Sequence, residues 1–286
     1  MPKIILPAGF SKNNQQQEFL AKAACDSIAL PHSEALSEKI AYGPKCLGTL
    51  GGGNHFVEIG KDDKGFIWVV VHSGSRSVGH AVASYYMELA AKGEPVEQAH
   101  ALISDSDEGK DYIQDMNYCL SFALKNRELI SEIVIMAIYN VLKNKENNDA
   151  YINRMQFINK NHNHAELKNG RWIHRKGATH ADAGMYGVIP GNMRDGSFIV
   201  IGKGNSESMN SSSHGAGRVL SRTQAKKNIT LEQFQDSMKN ILAATVDAKR
   251  IDESPFAYKN IFEVMNLQKD LIEVVTHISP IINVKG

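Results

Sequence analysis

Four histidines stand out because each sits among residues that bend the backbone or bind oxyanions. His55 follows Gly51-Gly52-Gly53-Asn54 and precedes Phe56. Seventeen residues on, His72 opens His72-Ser73-Gly74-Ser75-Arg76. His162 lies in Asn161-His162-Asn163, and His214 in Ser213-His214-Gly215-Ala216-Gly217-Arg218. Neutral imidazole is a common ligand for divalent transition metals. Glycine lets backbone come close to a ligand and takes conformations closed to other residues. The amides of Asn54 and Asn163 can donate to phosphate oxygens. Taken singly, each histidine is most simply a satisfied core side chain, and Gly51 to Gly53 a turn. Taken together, they point to a metal centre beside a phosphate-handling pocket, and so to phosphoryl or nucleotidyl chemistry.

His214 differs from the other three. Its loop of small residues can present backbone N–H groups to an anion. An imidazole there can act as nucleophile or general base. Arg76, Arg175, Lys176, Arg218 and Arg222 lie in or beside these segments and together would make a phosphate-binding cluster. Individually, each is more often a surface charge. Pro190-Gly191-Asn192-Met193 reads as a tight turn. The apolar Ile281-Ile282 lead suggests that Val284-Lys285-Gly286 is tied into the fold rather than frayed.

The elements that must position these groups are legible in part. Residues 11–40, with helix formers from Gln15 to Ala24, read as helix. The β-branched run Phe66 to His72 reads as a buried strand that delivers His72 at its end, where site residues often sit. Gly79 to Lys92 looks helical. Residues 104–110 are acidic and read as a loop. Asp111 to Leu142 reads as one long helix or two, with Met116, Leu120, Leu124 and then Ile130, Val134, Ile138 at helical spacing. Lys143 to Asp149 reads as a polar turn. Trp172-Ile173 and Ser197 to Ile201 read as strands, and residues 203–217 as a loop. Thr230-Leu231-Glu232-Gln233 has the form of a capping box. Ile272 to His277 and Ile281 to Val284 are apolar segments.

Composition sets the outer bounds. The chain has 286 residues, 42% hydrophobic, enough for one large domain or two joined ones. With 32 Lys+Arg against 31 Asp+Glu there is no global basic excess, so nucleic acid would have to meet a local patch. Cys25, Cys46 and Cys119 show no paired spacing and no CxxC, which argues against a disulfide framework or a zinc ribbon. No signal-peptide pattern and no apolar run of membrane-spanning length occurs, so a reducing cytoplasm is the default and no membrane partner is expected.

These segments, in this order, resemble the RtcB family of RNA-splicing ligases. The matching stretches are Leu47 to Ile59, His72 to Arg76, Tyr112 to Met116 with Asn126-Arg127, His162-Asn163, and Arg175 to Thr179. They continue with Ile189 to Met193, Ser213 to Arg218, Ala257-Tyr258-Lys259 and the closing Val284-Lys285-Gly286. The resemblance runs from about Leu6 to the last residue, and the combination is highly specific. It implies an α+β fold: a mixed α/β single domain over residues 1–286 with a deep central cleft. It implies a GTP- and Mn2+-dependent ligase that joins RNA 3′-phosphate or 2′,3′-cyclic phosphate ends to 5′-hydroxyl ends, in tRNA splicing or RNA repair.

By the same resemblance His214 would attack the GTP α-phosphate and carry GMP. His55, His72 and His162 would be manganese ligands. Asn54, His55, Phe56, Val57, Glu58, His162, Asn163, Pro190, Gly191, Asn192, Met193, Ser197, His214, Gly215, Ala216, Gly217 and Lys285 would line the nucleotide pocket, with Glu58 and Lys285 at the guanine base. Arg76, Lys176, Arg218 and Arg222 would meet RNA or phosphate. Two departures accompany the match. Asn192 stands where serine is usual. The family's upstream Asp-x-Gly-Cys-Gly segment, whose Asp and Cys complete a two-metal site, has no counterpart in this sequence. The expectation is then weak or no ligation by this chain alone, with the segment supplied elsewhere. A non-catalytic nucleotide- or RNA-binding relic and a metal-dependent cyclic phosphodiesterase are the alternative readings.

Overall fold

A computed structural model of the chain describes Ile28 and residues 43–143, 157–243 and 246–286. The helix expected over 11–40 lies, apart from Ile28, outside the described residues, as do Cys25 and all but the first residue of the turn expected over 143–149. The described residues mix helices with antiparallel strands, the α+β class expected. They divide into two compact units, Met1–Gly51 with Ser73–Ala137 and Gly52–His72 with Ile138–Gly286.

The first unit is helical. A single helical turn, Gly43–Cys46, precedes α1, Val78–Ala91, and α2, Asp107–Lys143, whose residues to Ala137 belong here. Val78, Val82 and Tyr86 recur every fourth residue along α1 and pack with Tyr118, Cys119 and Phe122 of α2, with Leu47 and with Ile28. The acidic stretch 104–110 is a loop only to Ser106. Asp107 and Glu108 instead form the first turn of α2, where carboxylates complement the helix N-terminus, and Ser106 Oγ accepts from Gly109 N at 3.1 Å. The sequence there was polar enough to suggest a loop, but polar residues of this kind also start helices.

Fully buried Asn126 organises this unit's loops. Its Oδ1 accepts from Gly48 N at 2.7 Å and Thr49 N at 3.2 Å. Its Nδ2 donates to Thr49 O, Ser73 Oγ and Gly74 O. Arg127 donates to Ser73 O, and buried Asp115 accepts from Tyr86 Oη at 2.8 Å.

The second unit is built on one sheet. Its strands are β1 (Phe56–Lys61), β2 (Ile67–His72), β6 (Tyr186–Pro190), β7 (Ser197–Gly202), β9 (Leu242–Ala243) and β10 (Ile272–Lys285). Along the sheet the order is β2-β1-β10-β7-β6, with β9 added in parallel to β10. The two apolar segments near the end of the sequence are thus one strand of 14 residues. Pro280, which has no N–H to donate, sits where the β1–β10 register slips between Ile59 and Gly60. Two smaller ladders pair β3 (Asn163–Lys168) with β4 (Arg171–Lys176) and β5 (Ala178–His180) with β8 (Ser211–Ser213).

The run 203–217 is therefore not all loop. It holds a short 3-10 turn at Ser206–Ser208, capped by Asn205, and then β8. Its glycine and serine content signalled a loop, but the backbone bonds to β5 decide the outcome. Helices α3 (Arg222–Asn228), α4 (Leu231–Ser237) and α5 (Ile261–Asn266) complete the unit. Thr230 and Gln233 do form the capping box, each side chain bonding the other's backbone. Phe198, Val200, Ile189 and Ala216 pack on Ile261 and Met265, while Phe56, Val70, Ile199 and Ile278 form a second apolar cluster.

Candidate nucleotide and metal site

All four histidines belong to the second unit, and strand ends gather them. Gly51 and Gly53, at φ 92° and 72°, make the turn that leads into β1 in a region where a Cβ is strained. His55 precedes β1. His72 ends β2, directly across from Phe56, so the β1–β2 ladder brings the two imidazoles to 5.7 Å between ring centroids. His162, just before β3, lies 5.2 Å from His72. His214 follows β8 and stacks on His162 at 4.8 Å and 20°. The His214 loop is seated by Ala216 N donating to Pro190 O at 3.0 Å. A Cβ on Gly215 would come within 3.1 Å of that same oxygen, so the approach depends on glycine.

The electrostatics favour a neutral His72. Burial, and then the neighbouring His162, His55, Lys285 and His214, hold His72 well below the ordinary histidine range. A neutral imidazole presents a lone pair, so His55, His72 and His162, side by side at 5.7 and 5.2 Å between ring centroids, are of a donor type that suits a divalent cation. Glu58, on β1, is 1% exposed. Burial raises its carboxyl from the usual 4.5 to about 8, against hydrogen bonds from Ser197 and Asn283 and the charge of Lys285. Ser197 Oγ donates to it at 3.1 Å and Asn283 Nδ2 at 3.4 Å. Lys285, buried near the end of β10, meets Glu253 Oε2 at 2.8 Å, donates to Asn54 O at 3.4 Å, and lies 5.2 Å above the Phe56 ring. Burial would raise Glu253, yet Lys285, the Tyr258 hydroxyl and Arg222 together hold it below the usual carboxylate range.

The remaining expected residues divide by environment. Phe56 and Val57 are buried in β1, and the Phe56 ring meets His72 edge-on at 5.6 Å. Asn163 is exposed at the start of β3. Pro190 ends β6, and the turn Gly191 to Gly196 returns the chain to β7 with Gly191 N donating to Gly196 O at 2.7 Å. Asn192 Nδ2 donates to Asp195 at 2.7 Å, and its Oδ1 caps Arg194 N and Asp195 N. Met193 packs its side chain with Phe234 and Met238, so its place in the turn is that of a core anchor. Ala216 is buried, and Gly217 takes φ 72°.

The expected basic cluster is not one free patch. Arg76, in the first unit, donates to Thr49 Oγ1 at 2.8 Å. Lys176 is exposed at the end of β4. Arg175 is buried and committed to Glu166, Ser211 Oγ and Met209 O. Arg218 donates to Leu220 O, Asp252 O and Tyr258 Oη, and Arg222 bridges Asp252 and Glu253. Sequence reasoning missed Glu253, around which Lys285, Arg218, Arg222 and Tyr258 assemble. Five residues before the motif tyrosine, it carried no signal of its own. A cleft of about 480 Å³ in the same unit, lined by Arg194, Lys239, Phe262 and His277 among others, includes none of the four histidines. No helix among the described residues is long and apolar enough to cross a membrane.

Comparison with known proteins gives the family of the chain. The RNA-splicing ligase RtcB1 of an Escherichia coli strain is 40% identical over 253 residues, which cover 85% of this chain and 62% of that protein. The RNA-splicing ligase RtcB of Escherichia coli K12 is 39% identical with the same coverage. The tRNA-splicing ligase RtcB of Nanoarchaeum equitans is 32% identical over 286 residues, covering 84% of this chain and 60% of the relative. The chain thus spans somewhat less than two thirds of the length of these relatives. The sequence model of one family, described as tRNA-splicing ligase RtcB, matches residues 3–286, and the chain belongs to that family.

Proposed function

We propose that this chain carries the nucleotide- and metal-binding part of a GTP- and Mn2+-dependent RNA ligase, acting on RNA 3′-phosphate or 2′,3′-cyclic phosphate ends and 5′-hydroxyl ends. The observation that carries the proposal is the stacking of His214 on His162 at the end of a row of imidazoles. A nucleophile beside a cation-binding donor set suits transfer of a phosphorus centre. Bound Mn2+ would neutralise the triphosphate charge, with His55, His72 and His162 as its ligands. His214 contributes the attacking nitrogen. An N–P bond to the GTP α-phosphorus forms, the bond to the β-phosphate oxygen breaks, and pyrophosphate leaves. An oxygen of the RNA 3′-phosphate then attacks the guanylyl phosphorus and frees His214. Attack by the 5′-hydroxyl on the activated 3′-phosphate joins the ends and releases GMP. Glu58 and Lys285 are placed in this reading at the guanine base. Asn54, Asn163, the Pro190 to Met193 turn, Ser197 and the Gly215 to Gly217 backbone line the rest of the pocket. Arg76, Lys176, Arg218 and Arg222 serve RNA or phosphate, the last two through the acids that orient them. The natural setting would be tRNA splicing or RNA repair in the cytoplasm.

The test is incubation of the chain with Mn2+ and α-labelled GTP. Acid-labile label on the protein, lost on His214→Ala, is the expected result. Absence of label from the unsubstituted chain, or its persistence in His214→Ala, would overturn the assignment of His214. Conversion of a cyclic end to a linear phosphate without label would favour a phosphodiesterase.

A further inference from the structure

A second group of ligand-type side chains lies in the same unit and uses none of the atoms described above. His164 and Glu166 are two apart on β3 and so share a face by strand alternation. His180 ends β5. One donor atom from each of the three lies within 4.8 Å of the others. The Nε2 atoms of His164 and His180 are 3.3 Å apart, and His180 Nε2 is 2.9 Å from Glu166 Oε2. All three side chains are half-buried. His164 Nδ1 is buried without a hydrogen-bond partner among the described residues, so this ring's polar engagement runs through Nε2 toward His180.

We propose that His164, Glu166 and His180 form a binding site for a divalent transition cation, distinct in its ligands from the four-histidine cluster. Two imidazoles and one carboxylate are a donor set that suits zinc and its neighbours and leaves coordination positions open. Two facing imidazole nitrogens can share at most one proton between them, whereas a cation takes both lone pairs. Arg175 supplies what an outer partner supplies. It holds Glu166 through Oε1, which leaves Oε2 on the histidine side, and is itself fixed by Ser211 Oγ and Met209 O. The ladders explain the convergence. His164 faces Arg175 across β3–β4, and β5 follows one residue after β4. This inference does not depend on the ligase reading.

Co2+ titration of the metal-stripped chain, followed by visible absorption, tests it. The unsubstituted chain is expected to bind one more Co2+ than His180→Gln, or to bind it at least ~10-fold more tightly, since even outer-partner losses cost about that much. His72→Ala is expected to retain this site, which separates it from the ligase centre. Identical stoichiometry and affinity in the unsubstituted chain and His180→Gln would overturn the proposal. If His180→Gln does not fold, acylation of the unsubstituted chain by diethyl pyrocarbonate decides. The tryptic peptide from Gly177 to Arg194 contains His180 as its one histidine. Co2+ should slow its modification at least ~10-fold; an unchanged rate would sink the site.

Discussion

The Asn126 network of the first unit and the histidine row of the second are both clusters of motif side chains, yet they are opposite in kind. Asn126 uses every hydrogen-bonding direction it has. Its carbonyl oxygen accepts two backbone N–H groups and its amide reaches three oxygens, all within the same unit. Such a network closes on itself and rigidifies what it touches. The histidine row sets four imidazoles side by side, and burial together with the neighbouring rings and Lys285 holds His72 well below the ordinary histidine range. Side chains of the first kind hold a fold together. Those of the second kind are tolerated by the fold and, on the proposed function, await a ligand.

The contrast can be broken most directly at Asn126. Asn126→Ala leaves the buried backbone N–H of Gly48 without its acceptor, takes one of two acceptors from Thr49 N, which keeps Cys46 O at 3.1 Å, and removes the donor to Thr49 O, Ser73 Oγ and Gly74 O; each buried group left unmatched costs roughly 1–3 kcal/mol. The expected result is a drop of about 3 kcal/mol or more in unfolding free energy by denaturant titration, the same with and without Mn2+. A drop below about 1 kcal/mol would show that the network is not what closes the unit.

Glu58 gives the next effect, through pH. In the unfolded chain its carboxyl titrates near the usual 4.5, and in the folded chain near about 8. Between those values the folded state holds a proton that the unfolded state lacks, so this group's contribution is full below pH 4.5 and is lost as pH rises toward 8. Glu58→Gln should remove that slope. From pH 5 to 8 the unsubstituted chain is expected to lose on the order of 3 kcal/mol more than the variant. Parallel pH–stability curves would mean that Glu58 stays ionised in the folded chain.

His72 should show the smallest effect on the metal-free fold, and that smallness is what sharpens the comparison. Removing a half-buried ring from a crowded row is expected to cost about 1 kcal/mol or less in the absence of metal. With Mn2+ at about 100 times its dissociation constant for the histidine row, the unsubstituted chain should gain roughly 2.7 kcal/mol from that row, and His72→Ala should lose this part of the gain. A His72→Ala cost equal to that of Asn126→Ala, without metal, would place the histidine row in the structural class.

What could be read from the sequence follows the same division. The strand ending at His72 and the Thr230–Gln233 capping box were legible because their signals are local, but the strand is not buried as expected: β2 lies at the sheet edge, Phe66 and Ile67 are exposed, and only Val70 is buried. The four histidines were legible because each carries its own glycine or asparagine punctuation. Asp107 and Glu108 misled because acidic residues suit both loops and first helical turns. The serines of β8 misled because only pairing with β5 makes them a strand. Glu253 and the His164–Glu166–His180 group were not found at all. Their partners are assigned by cross-strand register and by segments far apart in the chain, and no local pattern encodes either.

Strand β10 carries a consequence for how the pocket can arise. Asn283 meets Glu58 across 225 positions of sequence, and Lys285 comes from the same face of the same strand. A shift of one residue in that pairing would turn both polar side chains away and present Val284 in their place. The Glu58, Asn283 and Lys285 group therefore tolerates substitution better than insertion or deletion in β10. The Asn126 network of the helical unit closes over 78 positions and this group over 225, so the helical unit can assemble while the Glu58 end of the sheet waits for more distant strands to meet.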